Sequence, residues 1–564
     1  LSMFATEHKK NTLYGTICEY LNPALLVTMA NKDDNPTFSE AMVSPDRGGF
    51  IAAMEVEVQT LIDMTAFDVV PRPINKKVIS GVWAFKRKRY PDGSIRKLKA
   101  RYCARGFEQQ QGVDYFETFA PVVMWMTVRL LLIMSILMDL ETKQIDYTAA
   151  FIHAPIDCEV YVEMPKGFNV PGYVWLLNTS LYGLAQSPRN FFLHTKKQLT
   201  EKLGFESTEV DPCLFISKDV IALIYCDDCL LFYKNKEAAE RLTSKMKEEN
   251  IDFREEDDVA GFLGVHIDRK TDKDGNREIH LTQKGLTERI VEALHLNDPS
   301  IKPTRVPSKD YLPIDEHGEP AHETFNYPSV LGQINYLQGH SRPDITMAAS
   351  QCARYIHRTK RSHELALIQI GKYLKGTADK GIILKPSDDD NLQLDVYVDA
   401  AFACGWRTEL GTNPDSVKSR TGYIIEVANS PVIWVSKMQS TIATSTMESE
   451  YTALSMALRA FIPLYEVSKV VMSGLHYKKQ GAIKFKATIH EDNQGALILA
   501  NLEPGRTTIR SKFYALRLHW FRSWIQDRDI KIEFISTLNQ KADFLTKSPT
   551  VAIFEGNRSL SMGW

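Results

Sequence analysis

Val220-Ile221-Ala222-Leu223-Ile224-Tyr225-Cys226-Asp227-Asp228-Cys229-Leu230-Leu231-Phe232 sets two apolar runs on either side of a pair of acids. Short apolar runs broken by turn-forming residues read as two strands joined at the acidic pair. Adjacent carboxylates at a hairpin tip repel each other, and a hard divalent cation relieves that repulsion while keeping positions open for substrate phosphates. Asp-Asp is also ordinary turn chemistry, so the hairpin needs an answering group elsewhere. Asp146, in Gln144-Ile145-Asp146-Tyr147-Thr148-Ala149-Ala150-Phe151, offers a third carboxylate. Three such acids suit a two-metal site for in-line phosphoryl transfer. Phe151, five positions later, would serve as a floor under a nucleotide sugar, where a bulky ring excludes a 2′-hydroxyl; a plain core phenylalanine is the alternative.

Between Lys76 and Arg105 stand eleven lysines and arginines and a single acid, Asp92. An ordinary solvated face mixes signs, whereas a one-sided basic stretch suits a polyphosphate or a nucleic-acid backbone. Alternation through Gly81-Val82-Trp83-Ala84-Phe85-Lys86-Arg87-Lys88, with a turn at Pro91-Asp92-Gly93, predicts a β-hairpin carrying these charges. Lys99, Arg101 and Arg105 are its candidates for binding the triphosphate.

These stretches resemble the reverse transcriptase of copia-type LTR retrotransposons. Lys99-Ala100-Arg101-Tyr102-Cys103-Ala104-Arg105-Gly106-Phe107 and Glu117-Thr118-Phe119-Ala120-Pro121-Val122 look like the fingers of that family. Asp146 to Phe151 is similar to its first catalytic motif, and Tyr161-Val162-Glu163-Met164-Pro165-Lys166-Gly167-Phe168 to the segment after it. Ser180-Leu181-Tyr182-Gly183-Leu184-Ala185-Gln186-Ser187-Pro188-Arg189 resembles the template-gripping motif, and Phe262-Leu263-Gly264 sits where the family holds the primer end. Cys226 stands where the family commonly has valine. The resemblance implies an RNA- and DNA-templated DNA polymerase with Asp146, Asp227 and Asp228 as metal ligands, and Lys99, Arg101, Arg105, Phe151 and Gln186 contacting dNTP or template.

Further acids recur in the second half. Leu394-Asp395-Val396-Tyr397-Val398-Asp399 alternates like a half-buried strand. Glu448-Ser449-Glu450-Tyr451 opens a helical run behind the capping candidates Ser445 and Thr446. Asp492 ends another strand, and Asp543 follows Lys541-Ala542. Singly, each is an ordinary cap or surface acid. In this order they resemble the metal-binding set of ribonuclease H, which follows the polymerase in copia-type proteins. The resemblance assigns metal ligation and catalysis to Asp399, Glu450, Asp492 and Asp543. Ala401 stands where the family usually has a second Asp, and Lys512-Phe513-Tyr514-Ala515 replaces its Lys-His-Ile-Asp run, so hydrolysis is less firmly implied than polymerisation.

The expected fold class is α/β (α+β): a right-hand polymerase of fingers, palm and thumb, then a ribonuclease H-like domain with a mixed sheet. Expected boundaries are 1–45 leader or linker, 46–270 fingers and palm, 271–388 helical thumb and connector, and 389–564 ribonuclease H-like. The middle segment has helical periodicity near Gly285–Leu294, Val330–Leu337 and Leu365–Leu374, with Pro303, Pro307 and Pro313 as breaks. With 564 residues, several domains with ample cores are expected. Net charge is near −2, so the nucleic-acid case rests on clustering. No apolar run approaches the roughly 20 residues that span a bilayer, and no membrane partner is expected. The chain has no P-loop signature, no Asp-Thr-Gly or Asp-Ser-Gly protease motif and no zinc-binding integrase head. Cys226 and Cys229 form an isolated C-x-x-C, which lacks the second pair a zinc site needs.

The expected cofactor is Mg²⁺, with Mn²⁺ the alternative. The implied partners are an RNA template, a DNA or tRNA-like primer, RNA/DNA hybrid and dNTPs. The chain begins at Leu1, consistent with a piece of a longer polyprotein whose integrase, protease and capsid would be partners; self-association is left open. The expected setting is intracellular, in cytoplasmic particles or the nucleus. The rival reading is a decayed or domesticated element that binds nucleic acid without catalysis.

Overall fold

The computed structural model describes residues 34–89, 95–249, 251–257, 261–387, 392–410, 413–474, 485–501, 515–526, 528 and 530–564. The Pro91-Asp92-Gly93 turn and Lys512-Phe513-Tyr514 lie outside them. The chain forms two compact units, 1–123 with 142–258, and 124–141 with 259–564. Helix Trp125–Leu137 therefore groups with the C-terminal part.

In the first unit the strands are β1 Phe67–Pro71, β2 Val78–Ile79, β3 Gly81–Arg89, β4 Ile95–Ala104, β5 Glu141–Tyr147, β6 Tyr161–Val162, β7 Tyr173–Leu177, β8 Glu206–Ser207, β9 Leu214–Ile216, β10 Val220–Tyr225, β11 Asp228–Tyr233 and β12 Phe253–Asp257. A six-stranded sheet runs β12-β5-β11-β10-β9-β8. The apolar runs expected to be strands are β10 and β11, paired antiparallel through a two-residue turn at Cys226-Asp227. One face of this sheet, through Ile145, Tyr147, Ala222, Ile224, Cys229 and Leu231, shares a core with Phe191, Ala239, Leu242 and Met246. The last four come from helices Ser187–Lys197 and Lys236–Glu248.

The basic run forms the expected hairpin of β3 and β4. Strand periodicity of two sorts its residues onto two faces. Trp83, Phe85, Ala100 and Tyr102 are buried against Phe50 and Met54 of helix Arg47–Asp63. Arg87 and Arg89 are neutralised by acids remote in sequence, pairing with Asp46 and Asp34 at 2.6 Å each. On the other face Lys86 lies opposite Lys99, Lys88 opposite Lys97, and Ala84 opposite Arg101. Like charges facing each other across a hairpin destabilise it, so this face costs the hairpin stability.

In the second unit the strands are β13 Gly261–Phe262, β14 Val265–Thr271, β15 Arg277–Thr282, β16 Ile382–Leu384, β17 Leu392–Ala401, β18 Arg420–Val427, β19 Ser430–Met438, β20 Phe485–Glu491 and β21 Ile530–Phe534. The Phe262-Leu263-Gly264 motif is a hairpin whose two turn residues, Leu263 and Gly264, both have positive φ. That is the backbone a tight two-residue turn favours. Helices Lys284–Ala293, Tyr327–His340 and Arg361–Lys375 occupy the three periodic runs, with Thr346–Ala353 added. A five-stranded sheet runs β19-β18-β17-β20-β21. Its first three strands are antiparallel, and β17, β20 and β21 are parallel. This is the mixed sheet expected, and helix Thr446–Gly474 packs across β17 and β18. Among the described residues, no helix is long and apolar enough to cross a membrane.

Candidate active sites

The first acidic cluster sits at one end of the six-stranded sheet. Cys226 takes the turn with φ of 51°, a left-handed conformation that costs an L-residue roughly 1–2 kcal/mol. Such strain concentrates at functional turns. The Tyr147 N–H donates to the Asp227 carbonyl at 2.8 Å, which brings Asp146 to the acidic tip. Burial raises the Asp146 pKa, the charge of Asp227 adds to it, and Arg254, opposite Asp146 on β12, opposes it. Asp228 is pushed up to about 6 by burial and then by Asp227; a hydrogen bond from Gln144 works the other way. In the absence of a cation the charge of Asp227 therefore disfavours ionisation of both Asp146 and Asp228, which is the electrostatic condition for binding a cation.

Lys99 couples to both Asp227 and Asp146. Its own pKa falls to about 8, first through burial and then through Arg101 and Lys88. The Arg101 guanidinium lies over the Tyr182 ring, 4.3 Å from its centroid. Tyr182 in turn meets Phe151 edge-on at 5.4 Å. Phe151 is half-buried on a short helical turn, Ala150–His153, that follows left-handed Ala149. Arg105 ends the hairpin, its N–H donating to Ser80. Gln186, for which the resemblance implies contact with dNTP or template, lies in the motif after β7. It is fully buried; its amide donates to the Asp114 carbonyl at 3.0 Å, and its oxygen accepts from Gln109 at 2.9 Å. Gln186 braces the loop from within.

The second cluster closes around Asp399 on β17, Glu450 in the first turns of helix Thr446–Gly474, and Asp492 just past β20. One oxygen from each lies within 4.8 Å of the others. The Ser445 hydroxyl accepts from Glu448 N–H at 3.2 Å, the cap expected, and the Glu448 carboxylate turns back to Thr444 at 2.7 Å. Only Glu450 of that pair lines the cleft, which has a volume near 540 Å³ and is also bordered by Ala401, Phe402, Asn493 and Thr537. Burial raises the Glu450 and Asp399 pKa values, and neighbouring acids push further. Oε2 of Glu450 is buried without a partner. A buried lone carboxylate oxygen is costly, and a divalent ion held by Asp399, Glu450 and Asp492 would satisfy it.

Asp543 stands apart from this trio. Its Oδ1 accepts from Lys547 Nζ at 2.7 Å, and the same ammonium is 3.3 Å from Asp399 Oδ1. Thr546 donates to the other Asp399 oxygen. Sequence reading missed Lys547, Thr546, Gln144, Arg254 and the buried Glu491 beside Asp492, because only the fold sets them against the acids.

A strand-borne acid thus lies beside an acidic hairpin, and Lys99 of the basic hairpin couples to both. Residues 64–308 match the family described as reverse transcriptase (RNA-dependent DNA polymerase). The retrovirus-related Pol polyprotein from transposon TNT 1-94 of Nicotiana tabacum is 29% identical over 543 residues, covering 93% of this chain and 39% of that protein. The corresponding polyprotein from transposon RE2 of Arabidopsis thaliana is 30% identical over 512 residues, covering 89% and 33%. A structure of foamy viral protease-reverse transcriptase in complex with double-stranded DNA aligns with TM-score 0.44 and 13% identity, over 86% of this chain and 69% of that one. The chain carries a reverse transcriptase domain and is a homologue of copia-type transposon Pol polyproteins across most of its length. It spans well under half of the length of those two relatives.

Proposed function

We propose that this chain is an RNA- and DNA-templated DNA polymerase that also hydrolyses the RNA strand of RNA/DNA hybrids in retrotransposon replication. The observation that carries the polymerase reading is the placement of the Asp146 strand against the acidic turn, with Tyr147 N–H donating to the Asp227 carbonyl and Gln144 to Asp228, and Lys99 coupled to Asp146 and Asp227. Asp146, Asp227 and Asp228 would hold Mg²⁺, or Mn²⁺, which when bound neutralises charge developing on the transferred phosphoryl group. Lys99 and Arg101 draw in the triphosphate, and Phe151 with Tyr182 floors the sugar. The primer 3′-hydroxyl attacks the α-phosphate, and pyrophosphate leaves toward the basic face. In the second cleft, Asp399, Glu450 and Asp492 would hold a divalent ion beside the RNA strand, whose 2′-hydroxyls and A-form shape mark it.

The proposed partners are template, primer, hybrid and dNTPs, with the remainder of a polyprotein and self-association. An intracellular setting is part of the proposal; the free thiols of the described cysteines support a reducing compartment. Ala401 favours a second reading in which synthesis persists and hydrolysis is lost. The deciding assay is primer extension on labelled RNA with Mg²⁺ and dNTPs. Extended primer with shortened RNA is expected. Extension with intact RNA would select the second reading, and no extension would defeat the polymerase reading.

A further inference from the structure

The second cleft holds more than its three clustered acids. Asp399 and Asp543 are both largely buried, and between them stands Lys547, its ammonium 3.3 Å from one and 2.7 Å from the other. A two-metal phosphoryl-transfer site puts its ions about 3.5–4 Å apart, sharing a carboxylate. Here Asp399 is the carboxylate common to two groups. On one side it meets Glu450 and Asp492; on the other it meets Asp543, with the lysine between. Ala401, at the cleft wall, adds no carboxylate to that second side.

Resting on the ribonuclease H reading of this cleft, we infer that Lys547 is a built-in cation occupying the place of a second metal ion between Asp399 and Asp543, so that the free protein takes one divalent ion, on Asp399, Glu450 and Asp492.

Geometry and charge both support this. Lys547 lies four residues after Asp543, beyond a short helical turn, Asp543–Leu545, and its N–H donates to the Asp543 carbonyl at 3.1 Å. That anchors the base of the side chain beside both acids. An ammonium sits about 2.7–2.9 Å from a carboxylate oxygen, whereas Mg²⁺ requires roughly 2.0–2.1 Å. The lysine therefore holds the two acids through one ammonium, at lengths that suit an ammonium and leave no room for a magnesium ion while it is there. It cancels one charge of the pair. Its side chain is 45% exposed, against 2% for Asp399, so the stem can swing outward, whereas the acid cannot.

The test counts Mn²⁺ ions bound to the full chain carrying Asp146→Asn, Asp227→Asn and Asp228→Asn, so that the first cluster is silent. Equilibrium dialysis with paramagnetic detection gives the count relative to the same chain with Glu450→Gln, Asp492→Asn and Asp543→Asn added. One ion is expected with Lys547, two with Lys547→Met, and one with Lys547→Arg. Adding Asp543→Asn to Lys547→Met should return the count to one. Two ions with Lys547 in place, or one with Lys547→Met, overturns the inference while leaving the metal-site reading standing. No ion in any chain overturns that reading and the inference together.

Discussion

The Gln144 carboxamide donates to Oδ1 of Asp228 at 3.1 Å, so the strand that presents Asp146 also holds one acid of the opposing turn. A hydrogen bond to the charged form lowers a carboxyl pKa, and Gln144 opposes the burial that raises Asp228. Replacing Gln144 with Leu should raise the Asp228 pKa further above 6. A hydrogen bond to a charged group contributes about 1.5–3 kcal/mol, so at limiting Mg²⁺ primer extension should fall roughly tenfold near pH 6.5 and recover by pH 8.5. A pH profile of extension rate checks it. A loss equal at all pH values would mean that Gln144 acts only on structure.

Asp228 also makes a stability prediction with a definite sign. Its folded pKa, about 6, lies above the 3.8 of an unperturbed aspartate. Between those values the folded chain binds more protons than the unfolded one, so stability falls as pH rises through that window. The cost is complete above pH 6 or so. Asp228→Asn keeps an acceptor for Gln144 and removes the charge. It should therefore stabilise the metal-free protein at pH 7.5 by about 1–2 kcal/mol after solvent screening, and change little at pH 4. Denaturant melts at the two pH values, in chelator, decide it; equal effects at both would contradict the assigned cause.

The hairpin of acids, its partner strand and the basic β3–β4 ribbon were legible because each is a local pattern: alternation, an apolar run, a turn pair. The strand that carries Asp399 was legible for the same reason, whereas the mixed sheet around it was expected from the resemblance alone. What the sequence could not disclose were contacts between segments remote along the chain. Arg87 and Arg89 looked like free cations until Asp46 and Asp34 were found against them. The burial of Gln186 was not legible because it depends on Gln109 and Asp114, which only folding brings near. Asp543 looked equal to the other three acids, yet Lys547 sets it apart. Motif reading names the acids; it does not assign their counter-charges.

Phe151 packs edge-on against Tyr182 and Phe191, at 5.4 and 6.0 Å between centroids, so its ring is braced on two sides. A braced ring cannot retreat from a 2′-hydroxyl. Phe151→Val should leave dNTP incorporation within a few-fold and raise ribonucleotide incorporation about 10–100-fold, the range expected for a change of pocket size. Single-nucleotide extension with matched dNTP and NTP measures the ratio. An unchanged ratio would make Phe151 a core residue only.

The two clusters lie in different compact units, so they should fail separately. Asp227→Asn removes one charge from the turn while keeping the side chain's shape, and should reduce DNA synthesis by about 10²–10³-fold, as losing a preorganised group at a transition state does. Hybrid cleavage should stay within twofold of the unchanged chain. Asp492→Asn should do the reverse, because Asp492 accepts from Thr537 at 2.9 Å and a carboxamide oxygen can keep that bond while losing the ionic ligand. Synthesis is scored on a primed RNA template and cleavage on a preformed RNA/DNA hybrid with labelled RNA. If Asp227→Asn left synthesis intact, the acidic turn would be only a turn, and the polymerase site would have to lie elsewhere in the chain.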